Sequence, residues 1–369
     1  MKLTTILMVA VTAILMMSVP ALAAGDFSGG DGSMGNPYQI GTPDQLQKIG
    51  EIEYLNSHFI LINDIDFSGW DKDWVPIGFE DVDSDYDAET YFVGTFDGKG
   101  HTISNMAISG TDNVGIFGLV GNATFFNLQL DNISAEGENY VGILAGQTAK
   151  DTNLFVMNVS AKNSKINATG DYAGLFGGIS QAEFVNIYLY NLEVSGLNNV
   201  GALTGGDFDR CSGISLTNCT LENSYIQAED GGSNIGGSNI GGFIGSFESA
   251  EIINSAVKNT QIAANSANNV GGFAGSLYDA TLLKSNIGEE SKITANDNAG
   301  GLIGYAEYGN FSICYADCDI EAEIGVGGLA GVLGDYSIIL ESFTEGEITG
   351  KESVGGLVGS IGNDVAAGF

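Results

Sequence analysis

Basic residues are scarce in this chain. Its 369 residues include 12 Lys and Arg together against 46 Asp and Glu, so the formal net charge is −34 at pH 7. The only arginine is Arg210. A surface this acidic repels phosphate backbones and anionic headgroups, which excludes nucleic acids and anionic membrane surfaces as general partners. Divalent cations and neutral glycans are compatible with it.

Cysteine, histidine and proline are also rare, with 4, 2 and 4 copies. The cysteines are Cys211, Cys219, Cys314 and Cys318. Their spacings do not match the pairs of a structural zinc site, although an oxidising compartment would permit two local disulfides. Cys219 and Cys318 fall where other repeats carry serine, as at Ser255 and Ser285. We therefore interpret these two cysteines as small residues facing the core.

The histidines do not form part of a recognisable catalytic group. His58 and His101 are distant in sequence, and no H-E-x-x-H motif is present. Asp97 and His101 are close together in "GTFDGKGHTI", but D-G-x-G is typical of a turn between strands. Because a hydrolytic site also needs a second carboxylate or a nucleophile, the sequence assigns no catalytic residue.

The N-terminus has the pattern of an export signal. Lys2 precedes the apolar run "LTTILMVAVTAILMMSV", and Ala21-Leu22-Ala23 follows as a small-residue cleavage pattern. Residues 1–23 are thus predicted to be a signal peptide, with an uncleaved membrane anchor as the alternative. We expect a secreted or cell-surface protein that is not inserted in a membrane after the signal is removed.

A glycine-centred motif recurs nine times and organises the rest of the chain. One copy is "NVGGFAGS", residues 269–276. The first glycines of the nine copies are Gly115, Gly142, Gly174, Gly201, Gly241, Gly271, Gly300, Gly327 and Gly355. The step between them is about 27 to 32 residues, except for one longer step that contains a duplicated five-residue unit within residues 231–242. We assign these glycines a structural role.

Between the glycine motifs, apolar and polar residues alternate with a period of two, which predicts three short strands in each unit. Such a unit cannot bury its inner face alone, but stacked units can. Residues 111–369 are therefore predicted to form an all-β parallel β-solenoid with about nine coils. Phe273, Leu283 and Ile293 are expected in the core, with Lys284 and Glu289 facing water. A leucine-rich repeat is the alternative, but the units show no helical half.

Residues 24–110 differ from the repeats and are predicted to be an N-terminal capping region. In "GTPDQLQKIGEIEYL", residues 41–55, Thr42 and Pro43 form a helix start, and Leu46, Ile49 and Ile52 follow on one face. This pattern predicts a short amphipathic capping helix. No equivalent cap is recognisable after the last repeat, which leaves end-to-end self-association, a longer parent chain or an unrecognised cap as alternatives.

The one candidate metal site is "DVDSDYDAE", residues 81–89. Asp81, Asp83 and Asp85 alternate as the first ligands of a calcium loop do. The sixth position is Tyr86 instead of glycine, however, and the twelfth is Phe92 instead of glutamate. We interpret the segment as a solvated acidic loop, with calcium binding as the alternative, and assign no other cofactor.

The repeats resemble those of GLUG-motif proteins, which are exported surface proteins of bacteria and archaea. The resemblance is carried by "GLIG" (301–304), "GLAG" (328–331) and "GLVG" (356–359), and by the leading segments "GNPYQIGTPDQL", "DIDFSGW" and "WVPIGF". It implies a right-handed β-helix that acts as an adhesin or stalk and binds surface glycans or proteins through its outer faces. Some similar proteins are large metallopeptidases, but their zinc motif is absent here.

The sequence thus favours a non-catalytic surface protein. The alternative is a glycan-binding or glycan-degrading β-helix protein, such as a polysaccharide lyase or hydrolase. Enzymes of that kind place acidic residues, and often basic ones, together on one outer face. A single arginine and the lack of a recurring acidic pair disfavour that alternative.

Overall fold

The computed structural model describes residues 26–79, 90–207, 213–228, 238–362 and 366–368. In these residues the chain forms a parallel β-solenoid of about nine turns with a short N-terminal helix, which confirms the predicted fold class. Every pairing between its named strands is parallel. The residues of the predicted signal peptide lie outside the described ranges. No helix in the described residues has the length and apolarity needed to cross a membrane.

The strands follow one another along the whole chain. Those of the N-terminal region are Tyr38–Ile40, His58–Leu61, Ile65–Asp66, Thr95–Asp97 and Thr102–Ser109. Those of the first four coils are Asp112–Val114, Phe117–Val120, Thr124–Phe126, Gln129–Gly137, Asn139–Thr148, Asn153–Met157, Ser160–Lys162, Lys165–Ala168, Asp171–Ile179, Gln181–Val185, Tyr188–Tyr190, Glu193–Gly196, Asn198–Val200, Thr204–Asp207, Gly213–Thr217, Thr220–Glu222 and Tyr225–Ala228. Those of the later coils are Ser238–Gly241, Ile244–Ile253, Ala256–Lys258, Gln261–Gly271, Ala274–Leu283, Asn286–Gly300, Ile303–Ala306, Gly309–Ser312, Tyr315–Glu321, Ile324–Gly327, Ala330–Leu333, Ile338–Leu340, Phe343–Glu345, Ile348–Thr349, Glu352–Gly355, Val358–Ile361 and Ala366–Gly368.

Most coils contain more strands than the three predicted. The fourth coil shows five separate strands, from Asn198–Val200 to Tyr225–Ala228, and in other coils neighbouring segments join into longer bent strands. The additional breaks arise at residues with positive φ, for example Asn254 and Asn259. Asparagine adopts this left-handed conformation at little cost and bends the chain. The buried positions are three residues apart across each bend, as between Ile252 and Ser255, so an expected period of two does not reveal the breaks.

The repeat glycines stack in register. Gly241, Gly271, Gly300, Gly327 and Gly355 are aligned on successive coils, and Gly142 is aligned with Gly174 in the same way. Sequence steps of different length therefore return the chain to the same position. Most of the duplicated unit in the longest step lies outside the described residues.

Close backbone approach explains the paired glycines of "NVGGFAGS". Gly271 and Gly272 do not have positive φ. A Cβ atom on Gly272 would overlap the carbonyl oxygen of Gly301 on the next coil, and one on Gly271 would overlap the carbonyl oxygen of Ala274. The glycines are thus required by the spacing of the coils and not by a left-handed turn.

The core runs through the inside of the coils. Phe273 and Ile293 are fully buried there as predicted, and Lys284 is exposed. Leu283 was predicted wrongly, because Leu282 is the buried residue and Leu283 faces partly outward. Two adjacent leucines make the alternation ambiguous, so the sequence alone does not fix which one points inward. The side chain of Glu289 lies outside the description.

The cysteines are small core residues, but one alignment was wrong. Cys219 aligns with Ser255, as expected, whereas the residue that aligns with Ser285 is Cys314. Cys318 instead aligns with Ser291 on the second corner of the coil. Cys219, Cys314 and Cys318 are buried free thiols, and burial raises the pKa of Cys219 to about 12. Cys211 lies outside the described residues.

The N-terminal helix is shorter than the pattern implied. It spans Pro43–Lys48, and the Thr42 hydroxyl accepts a hydrogen bond from the backbone N–H of Gln45 at 3.3 Å. Leu46 and Ile49 are buried in the main core. Ile52 was expected on the same face but is 59% exposed, since it belongs to a separate 3-10 turn, Ile52–Tyr54. The apolar spacing extends from Leu46 to Ile52, but the helix ends before Gly50 and the 3-10 turn begins after it.

Candidate ligand-binding groove

A trough runs along one outer face of the solenoid, parallel to its axis. Its floor is formed by the outward-facing residues of one strand position, where Gly178, Gly206, Ser246 and Ser276 are aligned on successive coils. The next residue in this register is Tyr305. Small side chains in four coils, followed by a large aromatic one, leave a depression bounded by Tyr305.

A second glycine recurs in each repeat unit, one residue before the floor position of the trough. In two neighbouring coils it is Gly245 and Gly275. An added Cβ on Gly245 would overlap the backbone of Asn199, and one on Gly275 would overlap the backbone of Asn239. The strand is therefore pressed against the left-handed residue of the preceding coil. This packing explains the third glycine of "NVGGFAGS", which is Gly275.

An asparagine ladder forms one wall. The side-chain amide of Asn239 donates to the Asn199 oxygen at 3.0 Å, and the amide of Asn269 donates to the Asn239 oxygen at 3.1 Å. Both Asn199 and Asn239 have positive φ. At the corresponding corner of an earlier coil the left-handed residue is Tyr172, whose ring stacks on Tyr140 with centroids 4.8 Å apart. The wall thus presents amides followed by an aromatic ring.

Glu248 and Tyr278 form the opposite wall, at equivalent positions of neighbouring coils. Tyr278 is 47% exposed. Glu248 is partly buried, and its Oε2 atom is buried with no hydrogen-bond partner among the described residues. A carboxylate oxygen accepts hydrogen bonds but cannot donate them, so this wall has an unused acceptor.

We call the space between these walls the axial groove. It is lined by Tyr172, Asn199, Asn239, Ser246, Phe247, Glu248, Ser276, Leu277, Tyr278 and Tyr305, and its volume is about 590 Å³. Among these described residues Glu248 is the only carboxylate, and none of them is basic. The groove is therefore weakly acidic, rich in hydroxyl and amide groups, and bordered by tyrosine rings.

The tyrosine hydroxyls of the groove have neighbours of two kinds, carboxylates and other tyrosines. Burial raises the pKa of Tyr305, whose hydroxyl donates to Glu307 Oε2 at 3.1 Å. Beyond Tyr278, the aromatic surface continues through Tyr308 and Tyr336, with ring centroids 5.1 and 5.5 Å apart. A hydrogen bond with Tyr278 raises the pKa of Tyr308. Together these rings extend the wall of the groove along the axis.

A second concavity lies beside the capping region, with a volume of about 630 Å³. Trp70 and Trp74 contribute to it, and Lys72 lies over the Trp70 ring at 4.7 Å. The ammonium of Lys72 is paired with Asp44 at 2.6 Å, so its charge is already engaged within the protein. The indole Nε1 of Trp70 is buried without a partner among the described residues.

The structure does not bring the candidate site residues of the sequence together in a described site. Asp81, Asp83 and Asp85 lie outside the described residues. Within the described ranges, no group of three or more His, Cys, Asp or Glu side chains is arranged to hold a metal ion. His101 and Asp97 have separate partners, because His101 Nδ1 is 3.0 Å from Asp64 and Asp97 is bound to Lys99 and Asn127.

The sequence analysis did not identify the groove. A signal for it was nevertheless present in deviations from the repeat consensus. Tyr140 and Tyr172 replace the asparagine that precedes most of the glycine motifs, and Tyr305 stands where the two preceding coils have Ser246 and Ser276. The stacking of the coils does not require tyrosine at these positions. Such departures from the repeat pattern therefore indicate outward positions where a residue can serve binding instead of packing.

Comparison with known proteins gives partial matches. No protein family model matches the chain. Over 123 residues the chain is 39% identical to Halomucin of Haloquadratum walsbyi, a match that covers 32% of this chain and 1% of Halomucin. Over 130 residues it is 35% identical to a protein of Evansella cellulosilytica described as a Gly-rich membrane protein, covering 32% of this chain and 14% of that protein. The chain thus matches only a small part of the length of these relatives.

A solved structure with the same fold is among those similar to this chain. It comes from Bacteroides ovatus and is described as an immunoglobulin A1 protease. The TM-score is 0.51 at 20% sequence identity, and the match covers 81% of each chain. Similarity at this level supports the solenoid architecture and no shared activity.

Proposed function

We propose that this chain is a non-catalytic, exported surface protein of the GLUG-repeat type, which acts like an adhesin by binding a partner on its outer face. The observation that carries the proposal is the axial groove. It is built from outward residues that the stacking of coils does not require, and it combines exposed aromatic rings with polar groups. Such a combination is typical of recognition surfaces.

The similarities support a surface role. Halomucin and the Gly-rich membrane protein of Evansella cellulosilytica match about a third of the chain each. The second of these is described as a membrane protein. The N-terminal pattern of Lys2, an apolar run and Ala21-Leu22-Ala23 is consistent with export of this chain as well.

The proposal of a non-catalytic role rests on the chemistry of the groove. Glycoside hydrolysis by the usual route needs two carboxyl groups on either side of the scissile bond. The described lining of the groove offers Glu248 alone. Release of reducing sugar from a polysaccharide incubated with the protein would contradict this part of the proposal.

Export is tested by expressing the full chain in a bacterial host and fractionating the culture. We expect the protein in the medium, or on intact cells in a form that added protease digests. A variant that lacks residues 1–23 is the control and should stay in the cytoplasm. Retention of the full chain in the cytoplasm would overturn the proposal.

A further inference from the structure

We propose that the axial groove binds a neutral, extended oligosaccharide, with sugar rings packed on Tyr172 and Tyr278 and sugar hydroxyls bound to Glu248. This inference rests on the proposed function, because it names the class of ligand for the same outer face. It is carried by four features of the groove, which are its unused acceptor, its aromatic rings, its charge and its periodicity.

The unused acceptor is Oε2 of Glu248, which the protein shields from water, so a rotation of this side chain is needed to present the oxygen to a ligand. Buried polar atoms in folded proteins almost always have a hydrogen-bond partner, and an unpaired one is costly. The other described lining residues do not supply a donor to it. A ligand that carries adjacent hydroxyl groups can donate to a carboxylate, and such charge-assisted bonds are stronger than bonds between neutral groups.

The aromatic rings provide the apolar part of the site. A tyrosine ring offers a flat apolar face and a polar hydroxyl at its edge. The C–H face of a pyranose ring packs on such a surface while its hydroxyls point sideways to polar groups. Tyr278 is 47% exposed, so its ring has free surface for this contact.

The charge of the groove selects against acidic ligands. Its described lining has one carboxylate and no basic side chain, in a chain with a formal net charge of −34. A uronate-rich or sulfated glycan would be repelled both by the groove and by the molecule as a whole. A neutral glycan avoids both penalties.

The periodicity of the groove matches a chain-like ligand. Ser246, Ser276 and Tyr305 are aligned along the floor on three successive coils, and Asn199 and Asn239 lie on adjacent coils in the asparagine wall. Polar groups are thus repeated at the strand spacing of ~4.8 Å. A sugar unit in an extended oligosaccharide has a similar length, so successive units can meet equivalent groups.

A cation such as a quaternary ammonium is the competing ligand, because tyrosine rings with a carboxylate also bind cations. A small cation needs a single enclosed position, however, and would not use hydroxyl and amide groups spread over several coils. The geometry therefore favours the oligosaccharide, and choline serves as the probe that tests the alternative.

The experiment uses the full chain as exported, first on an array of neutral and acidic glycans and then by titration calorimetry with a retained neutral hexasaccharide and with choline. We expect retention of at least one neutral glycan and no binding of choline. Tyr278→Ala should weaken binding roughly five- to ten-fold, and Glu248→Gln should weaken it to a similar extent.

Two matched variants control for general effects. Tyr225→Ala removes an exposed ring at a different strand position, outside the groove and its aromatic wall, and Glu251→Gln neutralises an exposed carboxylate on the same strand as Glu248. Both should leave affinity within about two-fold. Unchanged thermal unfolding of the four variants shows that they are folded.

Tryptophan emission tests whether the glycan binds in the axial groove. Both tryptophans line the second concavity, so their emission should not change when a glycan binds in the groove.

The proposal is overturned if no neutral glycan is retained, if choline binds in its place, or if Tyr278→Ala and Glu248→Gln bind as the unaltered protein does. These results would leave the proposed function standing, provided that the chain is exported. A chain that binds the glycan but is retained in the cytoplasm would keep the ligand assignment and overturn the surface role.

Discussion

At the corners of each coil the backbone turns through residues with positive φ, and most of them are asparagine. One corner shows the consequence for stability. Asn158, Asn186, Asn218 and Asn254 each donate a side-chain hydrogen bond to the asparagine of the preceding coil, over 2.7 to 3.2 Å. Asparagine therefore solves two problems at once, because it tolerates the left-handed conformation and its amide connects one coil to the next.

The ladder ends before Ile313, which occupies the same corner on a later coil. Ile313 has φ of 56° and is 48% exposed. A β-branched side chain is strained in this conformation by about 1 to 2 kcal/mol. We expect Ile313→Asn to raise the free energy of unfolding by about 1 kcal/mol, measured by denaturant unfolding. Ile313→Val keeps the branched Cβ and is the control. Equal stabilities of the two variants would show that strain at this corner is negligible.

Close approach of neighbouring coils gives a second prediction at the residue scale. An added Cβ on Gly272 would overlap the backbone carbonyl oxygen of Gly301, and the backbone cannot move away without disturbing the stack. We expect Gly272→Ala to lower the free energy of unfolding by about 2 to 3 kcal/mol.

Gly288→Ala is the matched control for that experiment. The nearest atom to an added Cβ on Gly288 is the carbonyl oxygen of Val257, at an ordinary contact distance of 3.9 Å. Its stability should change by less than about 0.5 kcal/mol. A similar loss in both variants would mean that glycine flexibility, and not coil spacing, explains the repeat motif.

At the scale of single elements, carboxylates connect neighbouring strands within the capping region. Asp64 accepts hydrogen bonds from the backbone N–H of Thr102 and from His101, and these contacts lower the pKa of Asp64. Hydrogen bonds from Asn105 and Ser68 lower the pKa of Asp66 in the same way. Both pKa values are thus lower in the folded state than in the unfolded chain.

These shifts predict an acid-sensitive cap. A group with a lowered folded-state pKa stabilises the protein above its unfolded pKa, near 3.8, and the stabilisation is lost as the pH falls through the folded value. Trp70 and Trp74 are the only tryptophans and both belong to this region, so their emission reports the cap. We expect a red shift below about pH 3.8. The emission of the Asp64→Asn, Asp66→Asn double variant should depend less on pH. If its pH profile equals that of the unaltered protein, these two carboxylates do not stabilise the capping region.

Sequence patterns predicted some elements better than others, for a physical reason. The helix start at Thr42 and Pro43 was found because capping depends on local residues. The exclusion of Ile52 from that helix was missed because an apolar period does not report a change from an α-helix to a 3-10 turn. The groove was missed because it depends on which outward residues of different coils become neighbours, and that is set by the register of the stack.

At the scale of the whole molecule, the number and alignment of coils followed from the repeats alone. Each coil contacts mainly the coils before and after it, so the spacing of one motif determines the architecture. Residues such as Leu282 and Leu283 could exchange roles without changing that result. This is why the fold was predictable from nine copies of a weak motif, whereas the ligand-binding face was not.

Charge is the property of the whole molecule that opposes this stacking. Acidic residues outnumber basic ones by 46 to 12, and each coil brings its outward side chains within ~4.8 Å of the next row. Mutual repulsion of this kind destabilises a compact state. It is screened over about 10 Å at 0.1 M salt but over only about 3 Å at 1 M.

Salt should therefore stabilise the solenoid at neutral pH. We expect the thermal unfolding midpoint at pH 7 to rise by several degrees between 0.1 M and 1 M sodium chloride, measured by circular dichroism. The same titration near the isoelectric point, at about pH 4.1, is the control, because the net charge is then close to zero. There the midpoint should respond much less to salt. An equal response at both pH values would show that the salt acts through apolar burial or solvation instead of through screening of the acidic surface.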